Sequence, residues 1–211
     1  MSSKKDPEAK KPSSGFSRRG FLQSAGVSGG VLSTGILETE AQAQTPAGVI
    51  SGEVAITLQI NGQPHKTTVE PRMTLLDVMR NQLDLTAAKR VCDRGACGAC
   101  TVIVDGKAAY SCSLLAIDLQ GKKIETLEGI AQGRNSHPLV NAFVENDAQQ
   151  CGYCTPGFVV ASKAFLDRNP SPTYEQVKEG LGGNLCRCGT YVGIRKAVLE
   201  AATKLKGGRN A

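Results

Sequence analysis

The sequence predicts an α+β protein in which a strand-rich domain precedes an all-helical one, and three observations support this fold class. From residue 53 onward, apolar and polar residues alternate as they do in half-buried β-strands. Two turn pairs, Asn61-Gly62 and Asp105-Gly106, divide this region into hairpins. After about residue 129, apolar residues recur at helical spacing instead. We therefore expect a first domain at residues 53–128 and a second domain at residues 137–206.

The first domain is predicted to contain five strands and one helix. Val54 to Ile60 is rich in β-branched residues, and residues 65–70 form its return strand. Thr74 is a good N-cap residue and starts the helix. The apolar face of that helix comprises Leu75, Leu76, Met79 and Leu83. The other three strands are expected at residues 101–104, 107–110 and 123–127.

The second domain is predicted to consist of four short helices. Pro156 suits the first turn of a helix, because the N–H group that proline lacks would have no partner there. Thr173 and Gln176 have the spacing of a capping box, which marks the start of another helix. The four helices are expected at residues 138–146, 155–167, 173–181 and 190–204.

The composition argues against several functions. The formal net charge is +6, but no basic run is interleaved with aromatic residues, so nucleic-acid binding has no support. The sequence shows no Ser/His/Asp set, paired carboxylates or phosphate-binding loop, so we expect no catalytic residues on this chain alone. The two histidines, His65 and His137, are isolated from each other, and we interpret them as structural or exposed.

Residues 1–43 are predicted to be an export signal. A basic start leads to Arg18 and Arg19 in a context that resembles the twin-arginine signature of bacterial signals. Residues 25–37 are mildly apolar but too short and glycine-rich for a membrane span, which needs about 20 apolar residues. Residues 41–43, Ala-Gln-Ala, fit a cleavage site. Since this route exports folded proteins, we expect a periplasmic protein without stable membrane insertion; the alternative is a basic tail with two arginines by chance.

Eight cysteines divide into two groups of four, and each group could hold one [2Fe-2S] cluster. The first group has the plant-type spacing C-x4-C-x2-C, and a fourth cysteine follows after a hairpin. Gly95 and Gly98 let the backbone fold tightly and bring N–H groups toward the sulfurs, which tunes the reduction potential. The predicted ligands are Cys92, Cys97, Cys100 and Cys112.

The second group combines a C-x2-C pair with a C-x-C pair, and each pair directly precedes a predicted helix. A [2Fe-2S] centre held by four thiolates carries a formal charge of about −2 when oxidised. Two helix N-termini would offset this charge with free N–H groups and positive dipole ends. The predicted ligands are Cys151, Cys154, Cys186 and Cys188.

Other uses of the cysteines remain open at this point. Disulfides are common in exported chains with an even cysteine count, although the tight cluster at residues 92–100 is poor geometry for independent bridges. Structural zinc also uses C-x2-C pairs, but a C-x4-C-x2-C set in a strand-rich domain is not its usual spacing. A third alternative is that one group binds a cluster and the other is structural.

Three cysteine-containing strings resemble the iron–sulfur small subunit of the xanthine oxidase family of molybdenum hydroxylases. They are residues 92–100 (CDRGACGAC), 150–157 (QCGYCTPG) and 183–189 (GNLCRCG). Together with the export signal, they are most similar to the periplasmic aldehyde oxidoreductase subunits. The resemblance implies a β-grasp ferredoxin domain of the plant type, followed by a four-helix [2Fe-2S] domain.

The same resemblance implies a function that depends on partners. A large subunit with molybdenum and molybdopterin would hydroxylate an aldehyde or heteroaromatic carbon. Electrons would then pass through the helical-domain cluster and the ferredoxin-like cluster toward FAD in a further subunit or toward another acceptor. The main alternative is a free-standing ferredoxin-like electron carrier, and a more remote one is a disulfide scaffold or binding protein.

Gln150 and Cys154 match family positions that approach the pterin, so they are candidate cofactor contacts. The sequence departs from the family pattern at two places. Val91 stands where a glycine is common before the first cysteine. Thr190 and Tyr191 follow Gly189 directly, where many relatives have Thr-Gly-Tyr. Neither departure removes a predicted ligand.

Overall fold

A five-stranded mixed sheet forms the first half of the part that the computed structural model describes, which is residues 49–133 and 136–209. Its strands are β1 (Val54–Ile60), β2 (Gln63–Val69), β3 (Thr101–Val104), β4 (Lys107–Tyr110) and β5 (Lys123–Glu125). They lie in the order β2-β1-β5-β3-β4, with both hairpins antiparallel and β1 parallel to β5. With one helix between β2 and β3, this is a β-grasp arrangement, and the predicted α+β class is confirmed. The predicted export signal at residues 1–43 lies outside the described residues.

Helix α1 (Leu75–Asn81) forms where the sequence places its cap. The Thr74 hydroxyl accepts a hydrogen bond of 3.1 Å from the N–H of Asp77. The helix buries Leu75, Leu76 and Met79 completely. These side chains belong to one apolar core with the inward-facing residues of β1, as the alternation of the strand predicts.

The chain turns helical earlier than the sequence pattern indicates. Strand β5 ends at Glu125, whereas the prediction extended it to residue 127. A short helix, α2 (Leu127–Ile130), begins there instead, with Thr126 as its N-cap residue. Two 3-10 turns, Ser111–Ser113 and Ala116–Leu119, were likewise not predicted.

The remaining helices are α3 (Pro138–Glu145), α4 (Thr155–Arg168), α5 (Tyr174–Gly180) and α6 (Tyr191–Arg209). Pro156 lies in the first turn of α4. Thr173 and Gln176 form both bonds of the predicted capping box at the start of α5. In the part of the chain that the structure describes, no strand follows β5.

Strand β3 joins the two halves, because its alternate residues face different cores. Val102 packs into the core beneath α1, whereas Ile103 packs with the helices. Both residues are buried. The described residues from Ile50 onward therefore form one compact unit, not two separate bodies. None of the described helices is long and apolar enough to cross a membrane.

Candidate metal centres

The β3–β4 hairpin assembles the first cysteine group. Cys92 and Cys97 lie in the irregular loop before β3, and Cys100 directly precedes that strand. After β4 the chain returns Cys112 to the same end of the hairpin, where Ser111 donates from its N–H (3.3 Å) and its hydroxyl (2.8 Å) to the Cys100 carbonyl oxygen. Cys100 and Cys112 are buried, whereas Cys92 and Cys97 are half-buried.

Backbone N–H groups point at the sulfur atoms of this group, as the glycine-rich loop predicts. The N–H of Gly95 lies 3.2 Å from Sγ of Cys112, and the N–H of Ala96 lies 3.3 Å from Sγ of Cys92. Gly95 has φ +70°, and a Cβ there would lie 2.8 Å from the Ser113 hydroxyl, so glycine is required. These donors stabilise a negative charge on sulfur, whether on a free thiolate or on a metal-bound one.

The thiol pKa values differ strongly within the group. The backbone N–H of Arg94, helped by hydrogen bonds from Ala96 and Cys97, lowers the pKa of Cys92 to about 6. Burial, reinforced by the neighbouring Cys112, raises the pKa of Cys100 to about 11. Cys97 is therefore a neighbour of Cys92, and Cys112 is a neighbour of Cys100.

Two helix N-termini carry the second group, as the sequence predicts. Cys154 is the N-cap residue of α4, and Cys188 lies three residues before α6 begins. Burial and the neighbouring Cys186 raise the pKa of Cys154 to about 12. Although burial acts in the opposite direction, hydrogen bonds from Thr190, Cys154 and Cys188 lower the pKa of Cys186 to about 7.

Thr190 and Tyr191 both contact Cys186, and the sequence analysis did not identify these contacts. The Thr190 hydroxyl lies 3.2 Å from Sγ of Cys186, within hydrogen-bonding reach. The Tyr191 hydroxyl accepts a hydrogen bond of 2.9 Å from the N–H of Cys186. Thr190 is one of the two positions, with Gly189, at which the sequence departs from the Thr-Gly-Tyr pattern, whereas Tyr191 matches that pattern.

The second group has an exposed side and a buried side. Cys151 and Cys188 are exposed, whereas Cys154 is half-buried and Cys186 is buried. Gln150, the predicted pterin contact, is exposed beside Cys151. Cys154, the other predicted contact, lies against Cys186 on the inner side.

Exposed apolar side chains surround this outward side. Tyr153 is 51% exposed, Leu185 is 53% exposed and Val192 is 56% exposed. Each lies within four residues of a cysteine of the second group. These exposed apolar residues flank the cysteines along the chain and are candidates for contact with another protein.

A direct hydrogen bond connects the two cysteine loops. The N–H of Leu185, the residue before Cys186, donates to the carbonyl oxygen of Cys97 at 2.9 Å. This hydrogen bond joins the backbone of Cys97, a predicted ligand of the first group, to the residue next to Cys186, a predicted ligand of the second group. The sequence separates these residues by 88 positions, and nothing in the local pattern predicts the contact.

The histidines behave as predicted. His137 is the N-cap residue of α3, where its Nδ1 accepts a hydrogen bond of 3.3 Å from the N–H of Leu139. Burial lowers the pKa of His137. His65 lies in β2, far along the chain from either cysteine group.

The donor set fits [2Fe-2S] clusters better than the alternatives. All eight cysteines are free, so no disulfide supports the scaffold alternative. Each group supplies four thiols, which is the number of protein ligands that one [2Fe-2S] cluster takes. The buried hydroxyl of Thr155, next to Cys154, also has no hydrogen-bond partner in the described part of the chain.

Comparison with protein families gives two adjoining matches. Residues 58–126 match a family described as "2Fe-2S iron-sulfur cluster binding domain". Residues 126–199 match a family described as "[2Fe-2S] binding domain". Both cysteine groups therefore lie in domains of a kind that binds this cluster, which removes the zinc and mixed alternatives.

Curated relatives align over most of their own length. A nicotinate dehydrogenase subunit from Pseudomonas putida is 47% identical over 150 residues, which are 71% of this chain and 96% of the relative. The aldehyde oxidoreductase iron-sulfur-binding subunit PaoA of Escherichia coli K12 is 38% identical over 180 residues, covering 78% of this chain and 79% of the relative.

Solved structures show the same likeness. A chain of quinoline 2-oxidoreductase from Pseudomonas putida 86 matches with a TM-score of 0.67 and 40% identity, over 73% of this chain and 98% of that one. The aldehyde oxidoreductase of Desulfovibrio desulfuricans matches with a TM-score of 0.70 and 42% identity, over 72% of this chain and 17% of that longer chain.

Proposed function

Because the chain belongs to the iron–sulfur subunits of the xanthine oxidase family of molybdenum hydroxylases, we propose that it relays electrons from a molybdopterin-containing catalytic subunit toward a further acceptor. Each [2Fe-2S] cluster, when bound, takes up and releases one electron at a time. The residues of this chain hold the clusters, set their surroundings and connect them. The chain itself supplies no catalytic side chain.

We assign the ligands by their two groups. Cys92, Cys97, Cys100 and Cys112 hold the first cluster, and Cys151, Cys154, Cys186 and Cys188 hold the second. Within each group, we assign neighbouring thiols to the same iron. These neighbours are Cys92 with Cys97, Cys100 with Cys112, and Cys154 with Cys186. In the second group, Cys154 and Cys186 form the inner pair, which leaves the exposed Cys151 and Cys188 as the outer pair.

The hydrogen bond from Leu185 to Cys97 is the observation that carries the proposal. It gives a direct backbone connection between the two ligand sets, because Leu185 is bonded covalently to Cys186. Two redox centres joined in this way act in series. The exposed side of the second group then receives electrons, and the half-buried Cys92 side of the first group releases them.

The outward side of the second group is the proposed contact with the molybdopterin subunit. Gln150, Cys151 and Cys188 are exposed there, and apolar Tyr153 and Leu185 lie around them. Gln150 remains a candidate pterin contact. Cys154 is less suited to that contact because it lies on the inner side against Cys186. An FAD-binding subunit is proposed as the partner that accepts electrons from the first cluster.

The substrate class follows from what the relatives act on. Their names include nicotinate dehydrogenase, nicotine 6-hydroxylase and aldehyde oxidoreductase. We propose that the catalytic partner of this chain hydroxylates an aldehyde or a heteroaromatic carbon. Three of these relatives are described as subunits of larger enzymes, which favours the subunit over a free-standing carrier.

Purification of the protein at its native expression level tests this function. A catalytic subunit that contains molybdenum is expected to elute together with the chain. Arg18→Lys and Arg19→Lys test the proposed periplasmic location separately, since the double variant should stay in the cytoplasm. A chain that elutes alone, without molybdenum, would favour the free-standing carrier, and continued export of the double variant would refute the signal.

A further inference from the structure

Three consecutive residues before Cys186 bind the loop of the first cysteine group. The carbonyl oxygen of Gly183 accepts a hydrogen bond of 2.8 Å from the Tyr110 hydroxyl. The side-chain amide of Asn184 donates to the carbonyl oxygen of Gly98 at 2.8 Å and to the hydroxyl oxygen of Thr101 at 3.1 Å. Leu185 follows with the backbone bond to Cys97 described above. We call residues 183–185, together with the residues they bind, the inter-cluster seam.

Asn184 is the buried residue of the stretch 183–185. Its side chain is 6% exposed, whereas Gly183 and Leu185 on either side are exposed. A buried amide is costly unless its hydrogen bonds are made. Here both donor contacts of the amide cross the seam, and none goes to its own helical domain.

The seam is packed too closely for a side chain at either of two glycines. A Cβ at Gly98 would lie 2.7 Å from the amide of Asn184 and 2.8 Å from the carbonyl oxygen of Gly183. From the other side, a Cβ at Gly157 would lie 2.4 Å from the carbonyl oxygen of Gly98. Gly98 is therefore enclosed between α4 and the loop of Asn184, with no room for a side chain.

We propose that Asn184 is a positioning residue that holds the Cys97 carbonyl against the Leu185 N–H and thereby fixes the coupling between the two clusters. Leu185 itself is an exposed residue, so packing of its side chain does not hold its N–H against the Cys97 carbonyl. The side-chain amide of Asn184, one residue before Leu185, is buried. It holds the same loop to the carbonyl oxygen of Gly98, which follows Cys97 in the chain. This inference rests on the proposed two-cluster function, which it deepens by naming the residue that sets the connection.

The test compares Asn184→Asp with a matched change at Asn61. Asp keeps the shape of the side chain but replaces the amide donor with a carboxylate, which cannot donate to the Gly98 carbonyl. Asn61 also bridges distant segments, because its amide donates to the Thr126 hydroxyl at 2.9 Å. Asn61→Asp therefore removes an amide donor away from the cysteine loops.

Two readouts follow the seam in the metal-loaded full chain. Hydrogen exchange reports opening of the Leu185 N–H, and we expect Asn184→Asp to speed it at least tenfold, which corresponds to about 1.4 kcal/mol of local opening free energy. Electron paramagnetic resonance of the fully reduced protein reports the magnetic interaction between the two clusters, which should weaken while both signals persist. Asn61→Asp should change neither readout.

An unchanged exchange rate and an unchanged interaction in Asn184→Asp would overturn the proposal. If that variant fails to load both clusters, Thr101→Val decides, because it removes one acceptor of the Asn184 amide without introducing a charge. The same change removes the hydrogen bond of 2.6 Å from the Thr101 hydroxyl to the Gly98 carbonyl oxygen. It should speed exchange at Leu185 by about threefold for each neutral hydrogen bond lost, and so by up to about tenfold, and no change would overturn the proposal. A wild-type chain lacking a second cluster signal would instead refute the proposed function itself.

Discussion

Replacing Gly157 with Ala should destabilise this protein, although the same change stabilises most helices. Gly157 lies in the first turn of α4, packed on the loop of the first cysteine group. An added Cβ would lie 2.4 Å from the carbonyl oxygen of Gly98 and 3.0 Å from Cα of Ala99. Both are backbone atoms that cannot rotate away. The oxygen would have to move by about 1 Å to reach the 3.4 Å of ordinary van der Waals contact.

The expected magnitude is the difference between two effects. Overpacking a tight contact costs about 1–3 kcal/mol, and a backbone contact of 2.4 Å belongs at the upper end. Alanine gains about 1 kcal/mol over glycine in a helix. The net loss is therefore about 2 kcal/mol, which lowers the melting temperature by about 4–8 °C for a chain of this size.

Thermal unfolding of the metal-loaded protein, followed by circular dichroism, measures this loss. Gly207→Ala is the matched control, because Gly207 lies in α6 and a Cβ there would meet nothing within 4 Å. The control should keep or slightly raise the melting temperature. If Gly157→Ala also keeps or raises it, the close packing of α4 on the first cysteine loop is refuted.

Three further predictions concern single side chains. Cys112→Ser should abolish the first cluster signal and retain the second, whereas loss of both signals would show that the two sites cannot form separately. Thr190→Val should lower the midpoint potential of the second cluster by about 60 mV, because the hydroxyl donor that it removes stabilises the more negative, reduced state. Thr190→Ser keeps a hydroxyl and should retain the wild-type potential. Equal potentials in Thr190→Val and wild type would refute this role. For His137, burial lowers the folded-state pKa below the unfolded value of 6.5, so its contribution to stability is present above pH 6.5 and is lost as the pH falls below it. The charged groups that act on this histidine are Lys163 and Asp167 of α4. Between pH 7 and pH 5, the free energy of unfolding should fall less in His137→Asn than in wild type, as measured by chemical denaturation. An equal fall in both proteins would contradict this role of His137.

Local patterns predicted most of the secondary structure. The alternation over Val54–Ile60 and the cap residues Thr74 and Thr173 specify their elements without help from distant residues. The division of the cysteines into two groups was also readable, because C-x4-C-x2-C and the paired second group are local spacings, and the assignment of each cysteine as a ligand stays a prediction. The pattern was wrong at the end of β5, where Leu127 continues the apolar alternation but starts a helix.

The contacts between the two cysteine groups could not be predicted in this way. Asn184 and Gly98 are 86 positions apart, and each has an ordinary local role, in a loop and a tight turn. Ile103 likewise gives no local sign that it faces the helical core and not the core beneath α1. Both facts depend on how the two domains pack, which a periodicity in one segment does not specify. The predicted ranges 53–128 and 137–206 therefore describe the order of the domains, but not the way in which β3 contributes to the cores of both.

Redox titration of the isolated full chain, followed by iron analysis and electron paramagnetic resonance, tests the central claim most directly. Two [2Fe-2S] clusters predict about four iron atoms per chain and two distinct signals, each integrating to about one spin per chain on full reduction. The signals should have different midpoint potentials, because one site is surrounded by backbone donors in a loop and the other lies at two helix starts. Fewer iron atoms, or a single signal that accounts for all the spin, would contradict two clusters in series.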